Sequence, residues 1–280
     1  MSTLVVIGTG LIGASFALAA KKARLFKTVI GLDVDENVLV EAKKLGVIDH
    51  MNEVPQLPDL VCVAVPTRAI ADTVNDAQRK YGSNVPIFDT GSVKVPVIEA
   101  FESVPPNFVP CHPIAGSDRQ GPAAADADLF QDRVVIMTPL EDTDASAAAV
   151  IENAWSMIGA RVIRQTPWEH DDDMATVSHL PHLVAFALVE LLANSEARLS
   201  DRIGDGFRDM TRIAGSDPTI WQHILTDNAG RVRKKLDELL RVLETIQNAA
   251  QNDPEELQRI LTGISDYRAG ISDYRKGLDG

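Results

Sequence analysis

Two cysteines in 280 residues are too few for a disulfide framework. Cys62 and Cys111 both fall in apolar, strand-like runs, where buried, reduced thiols are expected. Positive charge is also scarce: 27 Lys and Arg face 40 Asp and Glu, a net charge of −13. That balance argues against a nucleic-acid surface or an anionic membrane as partner, and any anionic substrate must be met by locally placed arginines. No apolar run is read as long enough to span a bilayer, and the first residues read as a strand rather than a signal peptide. No membrane contact is therefore expected, and the expected compartment is the cytoplasm. What is left is ordinary for a soluble chain, 45% hydrophobic and 24% charged, over a length that accommodates two compact domains.

The most informative stretch is the opening one. Leu4 to Ile7 reads as a buried strand that runs directly into Gly8-Thr9-Gly10-Leu11-Ile12-Gly13, followed by an Ala-rich helical run from Ala14 to Ala20. In that geometry Gly8 permits the tight turn, Gly10 admits a pyrophosphate to the backbone, and Gly13 lets the helix pack closely on the sheet. The positive end of the helix favours a bound phosphate. A second strand from Thr28 ends in Asp33, 20 residues after Gly13, the offset at which a carboxylate meets ribose hydroxyls. Together these predict a bound dinucleotide, NAD. Its contacts are expected from Gly8, Gly10, Leu11, Ile12, Gly13 and Asp33, and from Val65, Pro66 and Thr67 at the carboxyl end of a third strand.

Strand patterns recur at Leu60–Val65, Val85–Asp89, Phe108–Cys111, Val134–Met137 and Ala160–Ile163, with helices between, Thr67 capping one of them. The alternation predicts an α/β domain over residues 1–166, a doubly wound, mainly parallel Rossmann-type sheet. Beyond Pro167 strand signals stop, and apolar periodicity at His179–Leu192, Asp217–Ala229, Arg231–Ala249 and from Pro254 predicts an all-helical domain over 167–280. Leu236, Leu239, Leu240, Leu243 and Ile246 form a stripe at helical spacing that fits internal packing and a dimer seam equally well. The tail repeats a heptapeptide, Gly263–Ala269 and Gly270–Lys276; two copies are too few for a solenoid and read as an extended terminal helix or tail.

Ligands of a doubly wound sheet meet the carboxyl ends of its strands. His112 follows the fifth strand and is expected in a structured loop beside the nicotinamide. Ser92 and Ser117 lie in flanking loops, where contacting a substrate and capping the loop are both open to a hydroxyl. His179 and His182 are three apart, on one helical face, and His170-Asp171-Asp172-Asp173 lies near in sequence. The wider ligand set of a helical zinc site is lacking, so no metal is expected. Arg208 and Arg212, four apart, share a helical face as a solvated basic patch or as the walls of an anion site.

In order, the motifs Gly8–Ser15, Asp89–Lys94, His112–Ser117, Ser178–His182 and Gly206–Arg212 resemble those of the prephenate/arogenate dehydrogenases of tyrosine biosynthesis, over nearly the whole chain. The resemblance implies an NAD-dependent oxidative decarboxylation. Prephenate would yield 4-hydroxyphenylpyruvate; arogenate as substrate, or both, is the alternative. It implies that His112 contacts the ring hydroxyl with help from Ser92, that Arg212 binds a substrate carboxylate, and that Ser117, His179, His182 and Arg208 shape the site. It further implies a homodimer through interlocked helical domains, in which Trp221 reaches a neighbouring subunit's site. Two departures stand out. The duplicated tail is foreign to the family pattern, and neither a regulatory domain nor a chorismate mutase segment is expected at the ends. Two remoter readings compete. A β-hydroxyacid dehydrogenase or imine reductase would use a lysine of the helical domain, where Lys234 and Lys235 sit in a charged stretch; a non-enzymatic NAD-binding regulator would not need His112.

Overall fold

The computed structural model describes residues 2–117, 119–195 and 197–278. In chain order, β1 (Thr3–Ile7), α1 (Leu11–Lys22), β2 (Thr28–Leu32), α2 (Glu36–Lys44), β3 (His50–Met51), β4 (Leu60–Val63), α3 (Ile70–Tyr81), β5 (Ile87–Asp89), α4 (Val95–Glu99) and β6 (Phe108–Val109) build a sheet. It is parallel throughout, with order β3-β2-β1-β4-β5-β6, the doubly wound arrangement predicted from the strand–helix alternation. A strand covered on both faces alternates its side chains between two cores. Leu4 and Val6 accordingly join Phe16, Phe88, Phe130 and Trp155 on one side, while Val5 joins Ile30, Val61 and Val74 on the other. The aromatic rings of the first core meet edge to face, Phe16 and Trp155 at 4.8 Å between centroids. Cys62 and Cys111 are buried and not joined, and burial foremost pushes both thiols up, away from the reactive thiolate.

Several expectations need correction. The run Phe108–Cys111 is not one strand. Pro110 ends β6, its carbonyl accepts from the Thr138 amide and hydroxyl, and the chain passes into β7 (Cys111–Pro113) of a second sheet. There β7 pairs antiparallel with β8 (Val134–Met137), which pairs parallel with β9 (Arg161–Arg164), beyond α5 (Ala145–Met157). The two-residue β3 was missed because so short a strand has no periodicity to detect. Thr67 does not cap α3: it opens a 3-10 turn, Thr67–Ala69, and makes no capping bond there.

After β9 the chain is helical. α6 (Pro167–Met174), a π turn (Ala175–His179) and α7 (Leu180–Ala193) follow one another without a break. Pro181, in the first turn of α7, has no N–H to offer the carbonyl four residues back, and the widened turn lies at that point. By length and composition alone this 27-residue rod contains an 18-residue stretch, mean hydropathy 1.5, that is apolar enough to cross a bilayer. The sequence reading found no such run and placed the helix over His179–Leu192 only. α8 (Asp205–Thr211) and α9 (Pro218–Asp227) complete a first compact unit, Met1–Ala229. The second, Gly230–Gly280, consists of most of α10 (Ala229–Asn252) and α11 (Pro254–Leu278). Within it Leu236, Leu239 and Ile246 are partly buried while Leu240 and Leu243 are exposed. α11 runs through both heptapeptide copies, so Ile264 and Ile271 lie two turns apart, each about half exposed.

Candidate active site

The glycine turn is shaped by contact. A Cβ on Gly8, whose φ is +89°, would stand 2.3 Å from the Ala64 carbonyl oxygen, and one on Gly13 would stand 2.1 Å from the Gly8 carbonyl oxygen. At Gly10 a Cβ would meet nothing within 4 Å, so the approach to the backbone is open there. Gly10 caps α1 with no side-chain bond, and no acid sits in the first turn, which leaves the amide end of the helix for an anion. Asp33 closes the turn from β2: Oδ2 accepts from the Thr9 amide at 2.8 Å and hydroxyl at 3.2 Å, and Oδ1 accepts from the Asp35 amide at 3.1 Å. A carboxylate has about four acceptor positions, so one remains for a ribose hydroxyl. Beside the turn opens a cavity of about 450 Å³, lined among others by Gly10, Leu11, Ile12, Val65, Pro66 and Thr67. The residues present fit a dinucleotide.

A second cavity, about 700 Å³, adjoins it and contains His112, Met174, Ser178, His182, Arg212 and Trp221. Gly116, Ser117, Ser216 and Trp221 belong to the walls of both cavities. His112 is not in a loop past a strand but in the middle of β7, paired with Ile136, and so its backbone is fixed by a ladder. Ser92 faces the cofactor cavity rather than the His112 cavity.

Behind His112 lies a buried polar network that fixes it. Asp89, at the end of β5, receives the Gly91 amide at 2.8 Å, the Cys111 amide at 3.0 Å and the Lys94 ammonium at 2.6 Å. Lys94 also donates to the Cys111 carbonyl at 2.6 Å, so both polar groups of the residue before His112 are held. Asp171 of α6 receives the Lys94 and Val95 amides at 2.8 and 2.9 Å, capping α4 from another element. Its Oδ1 stands 2.7 Å from His170 Nδ1, and His170 Nε2 stands 2.8 Å from His112 Nδ1. The sequence reading passed over His170 and Asp171 except as metal ligands and did not single out Lys94; the fold distance of 58 residues between the two histidines leaves no local signal.

Burial foremost, then the charges of His170, Lys94 and His179, hold the His112 pKa well below its ordinary 6.5, so the imidazole is neutral at neutral pH. Burial would raise Asp171, but the bonds from His170, Lys94 and Val95 outweigh it and hold the carboxyl low.

His179 and His182 both lie against Trp221, with ring centroids 6.2 and 3.5 Å from the indole, and differ in what else they touch. His179 is buried and its Nδ1 lies 3.1 Å from the Asn228 side-chain amide, which also donates to the Asp171 carbonyl at 2.7 Å. His182 lines the cavity and stacks on Trp221. Trp221 is thus seated in its own chain's cavity wall. The arginines diverge. Arg212 begins a 3-10 turn, Arg212–Gly215, and lines the cavity; Arg208 is exposed on α8, outside its lining.

A parallel nucleotide-binding sheet with an open helix end, flanked by a cavity holding a neutral histidine, defines a nicotinamide-dependent oxidoreductase. The chain belongs to the prephenate dehydrogenase family. The family's nucleotide-binding domain matches residues 16–164 and its dimerization domain residues 166–263. A cyclohexadienyl dehydrogenase of Zymomonas mobilis is 37% identical over 88% of this chain and 87% of its own. A prephenate dehydrogenase of Bacillus subtilis is 34% identical over 95% of this chain and 75% of its own. Among solved structures, the prephenate dehydrogenase of Aquifex aeolicus in complex with hydroxyphenyl propionate and NAD+ superposes with a TM-score of 0.91 at 30% identity, covering 97% of this chain and 98% of that one.

Proposed function

We propose that this chain is an NAD-dependent prephenate dehydrogenase in which His112 is the group that receives the ring hydroxyl's proton. The observation that carries the reading is the shared wall: the cavity with His112 and Arg212 meets the cofactor cavity along Gly116, Ser117, Ser216 and Trp221. The α1 amides and Gly10 hold the pyrophosphate, and Asp33 the ribose hydroxyls. Bound NAD supplies the hydride acceptor. The ring C–H gives up its hydrogen with the bonding pair while the ring carboxylate leaves as carbon dioxide; its electron pair completes the aromatic ring. As the C–H pair departs, the hydroxyl becomes carbonyl-like and His112 Nε2 takes up its proton, returning it when the phenol forms. Arg212 grips a substrate carboxylate through its guanidinium fork, in a protein whose net charge would otherwise repel it. Ser92 and Ser117 orient the reacting groups, and the stacked pair of His182 and Trp221 walls the ring in.

Residues 1–166 form the nucleotide-binding part and 167–280 the substrate and dimerisation part of this reading, with two chains joined through the exposed apolar side chains of α10 and α11, and the enzyme working in the cytoplasm. Mixing protein, NAD and prephenate should yield reduced nicotinamide and carbon dioxide in equal amounts. A parallel assay with arogenate measures the preference between a keto and an amino side chain. Absence of turnover with both substrates overturns the reading. His112→Asn should lose turnover by roughly two to four orders of magnitude while still binding NAD.

A further inference from the structure

We propose that His170, backed by Asp171, is a positioning residue that fixes the direction of a proton chain ending at His112, so that His112 presents a bare Nε2 to the substrate. The inference rests on His112 being the proton acceptor.

The chain is closed at Asp171. Asp171 Oδ1 already faces the Lys94 amide at 2.8 Å, and Oδ2 faces the Val95 amide at 2.9 Å. Two backbone amides donating to its two oxygens favour the ionised form, and an ionised carboxylate can only accept. His170 Nδ1, 2.7 Å from Oδ1, therefore carries a hydrogen and donates it. A neutral imidazole has one donor and one acceptor nitrogen, which makes His170 Nε2 the acceptor. It lies 2.8 Å from His112 Nδ1, so that nitrogen must be the donor. The remaining ring nitrogen, His112 Nε2, then holds a lone pair. Each step follows from the one before, and its origin is two backbone amides at the start of α4.

Direction matters because the opposite tautomer would place N–H against the ring hydroxyl and could take nothing from it. The chain also gives the incoming proton somewhere to be felt. When His112 takes up a proton at Nε2, its Nδ1–H hydrogen bond to His170 strengthens, and the positive charge is shared toward the Asp171 carboxylate. His170 and Asp171 are fully buried, and His112 reaches solvent only through the substrate cavity that it lines. The other titratable groups facing the chain are Lys94, Asp89 and His179. Lys94 is matched by Asp89 at 2.6 Å, and His179 is engaged by Asn228, which leaves the carboxylate of Asp171 as the counter-charge hydrogen-bonded to the chain.

The test reads tautomers directly. Two-bond proton–nitrogen correlation spectra of protein labelled in its six histidines, assigned with His112→Asn and His170→Gln, should show both His112 and His170 as Nδ1–H forms. An Nε2–H form of His112 in the wild-type protein overturns the proposal whatever the kinetics. In Asp171→Asn the side-chain amide can face His170 as donor, and both rings should turn to Nε2–H with a severe loss of turnover. His170→Phe keeps the bulk and removes both bonds. It should lower kcat roughly tenfold to hundredfold, the range known for hydrogen-bond partners of metal-bound histidines, with NAD affinity and substrate KM nearly unchanged. His170→Gln, whose carbonyl can still accept from His112, should recover part of that loss, and the acid limb of the kcat profile should move in both. In a His112→Asn background His170→Phe should cost nothing further. A near-normal kcat in His170→Phe refutes the proton chain, whereas a near-normal kcat in His112→Asn removes the functional reading beneath it.

Discussion

His182 and Trp221 stack face to face, with ring centroids 3.5 Å apart and planes within 19°. The imidazole is fixed at its other edge by its own helix, Nδ1 donating to the Ser178 carbonyl at 2.9 Å. The indole packs on Val93, Ile224 and Phe186. One aromatic pair therefore joins the α7 wall of the substrate cavity to α9. Trp221→Phe should keep the fold and most of the activity. Trp221→Leu should raise the substrate KM and lower stability by about 0.5–1.5 kcal/mol beyond the loss of buried area. Thermal melts and steady-state kinetics on the two variants check this; indistinguishable variants would mean that the stack contributes nothing.

Cofactor choice turns on Asp33. With Thr9 and Asp35 already donating to it, the carboxylate is fixed as an acceptor for a ribose hydroxyl and would repel a 2′-phosphate. The following residues, Val34, Asp35 and Glu36, add no cation. NAD should be preferred strongly over NADP in kcat/KM, and Asp33→Asn should narrow the gap. Equal efficiency of the wild type with both cofactors would contradict this.

Arg212→Ala should raise the substrate KM by roughly tenfold to a hundredfold, about 1.5–3 kcal/mol for a charge-assisted bond to a carboxylate. NAD affinity should barely move, because Arg212 lies outside the lining of the cofactor cavity. Arg212→Lys should recover only part, a point charge lacking the fork. Parallel losses of NAD and substrate binding with a lower Tm would instead assign Arg212 to the fold.

Acid should weaken the protein through its buried histidines. Burial foremost, with His170 and His182 adding and Asp171 opposing, takes His179 from 6.5 down to about 4. Between those values the unfolded chain binds more protons than the native one. Stability should therefore fall as pH falls from 6.5 toward 4, by up to about 1.4 kcal/mol per pH unit for one such group, and level off below. His112, His170 and His182 are also lowered and act with the same sign. A Tm measured across this range that rises on acidification would be inconsistent with neutral, buried imidazoles.

The parallel sheet was legible because its signals are local: a strand, three glycines and an acid at a fixed offset sit within Leu4–Asp33. Helix existence after Pro167 was legible from apolar period alone. What escaped depends on contacts between distant segments. The turn from β6 into β7 at Pro110 is decided by Thr138, 28 residues on. His170 has meaning only beside His112, and Lys94 only opposite Asp89, so neither shows as a pattern. The shared face of His179 and His182 was legible because it needs only local period, and both rings lie against Trp221.

Gly116, Ser117, Ser216 and Trp221 serve two neighbouring chambers at once. A partition with two sides cannot be pushed from one without being felt on the other. Whatever free energy the first ligand spends or gains in settling these four residues is no longer at stake for the second. By thermodynamic reciprocity the factor by which NAD alters substrate affinity must equal the factor by which substrate alters NAD affinity. The coupling between the two ligands is thus one quantity, and a change in this partition that alters it will be read out in both affinities.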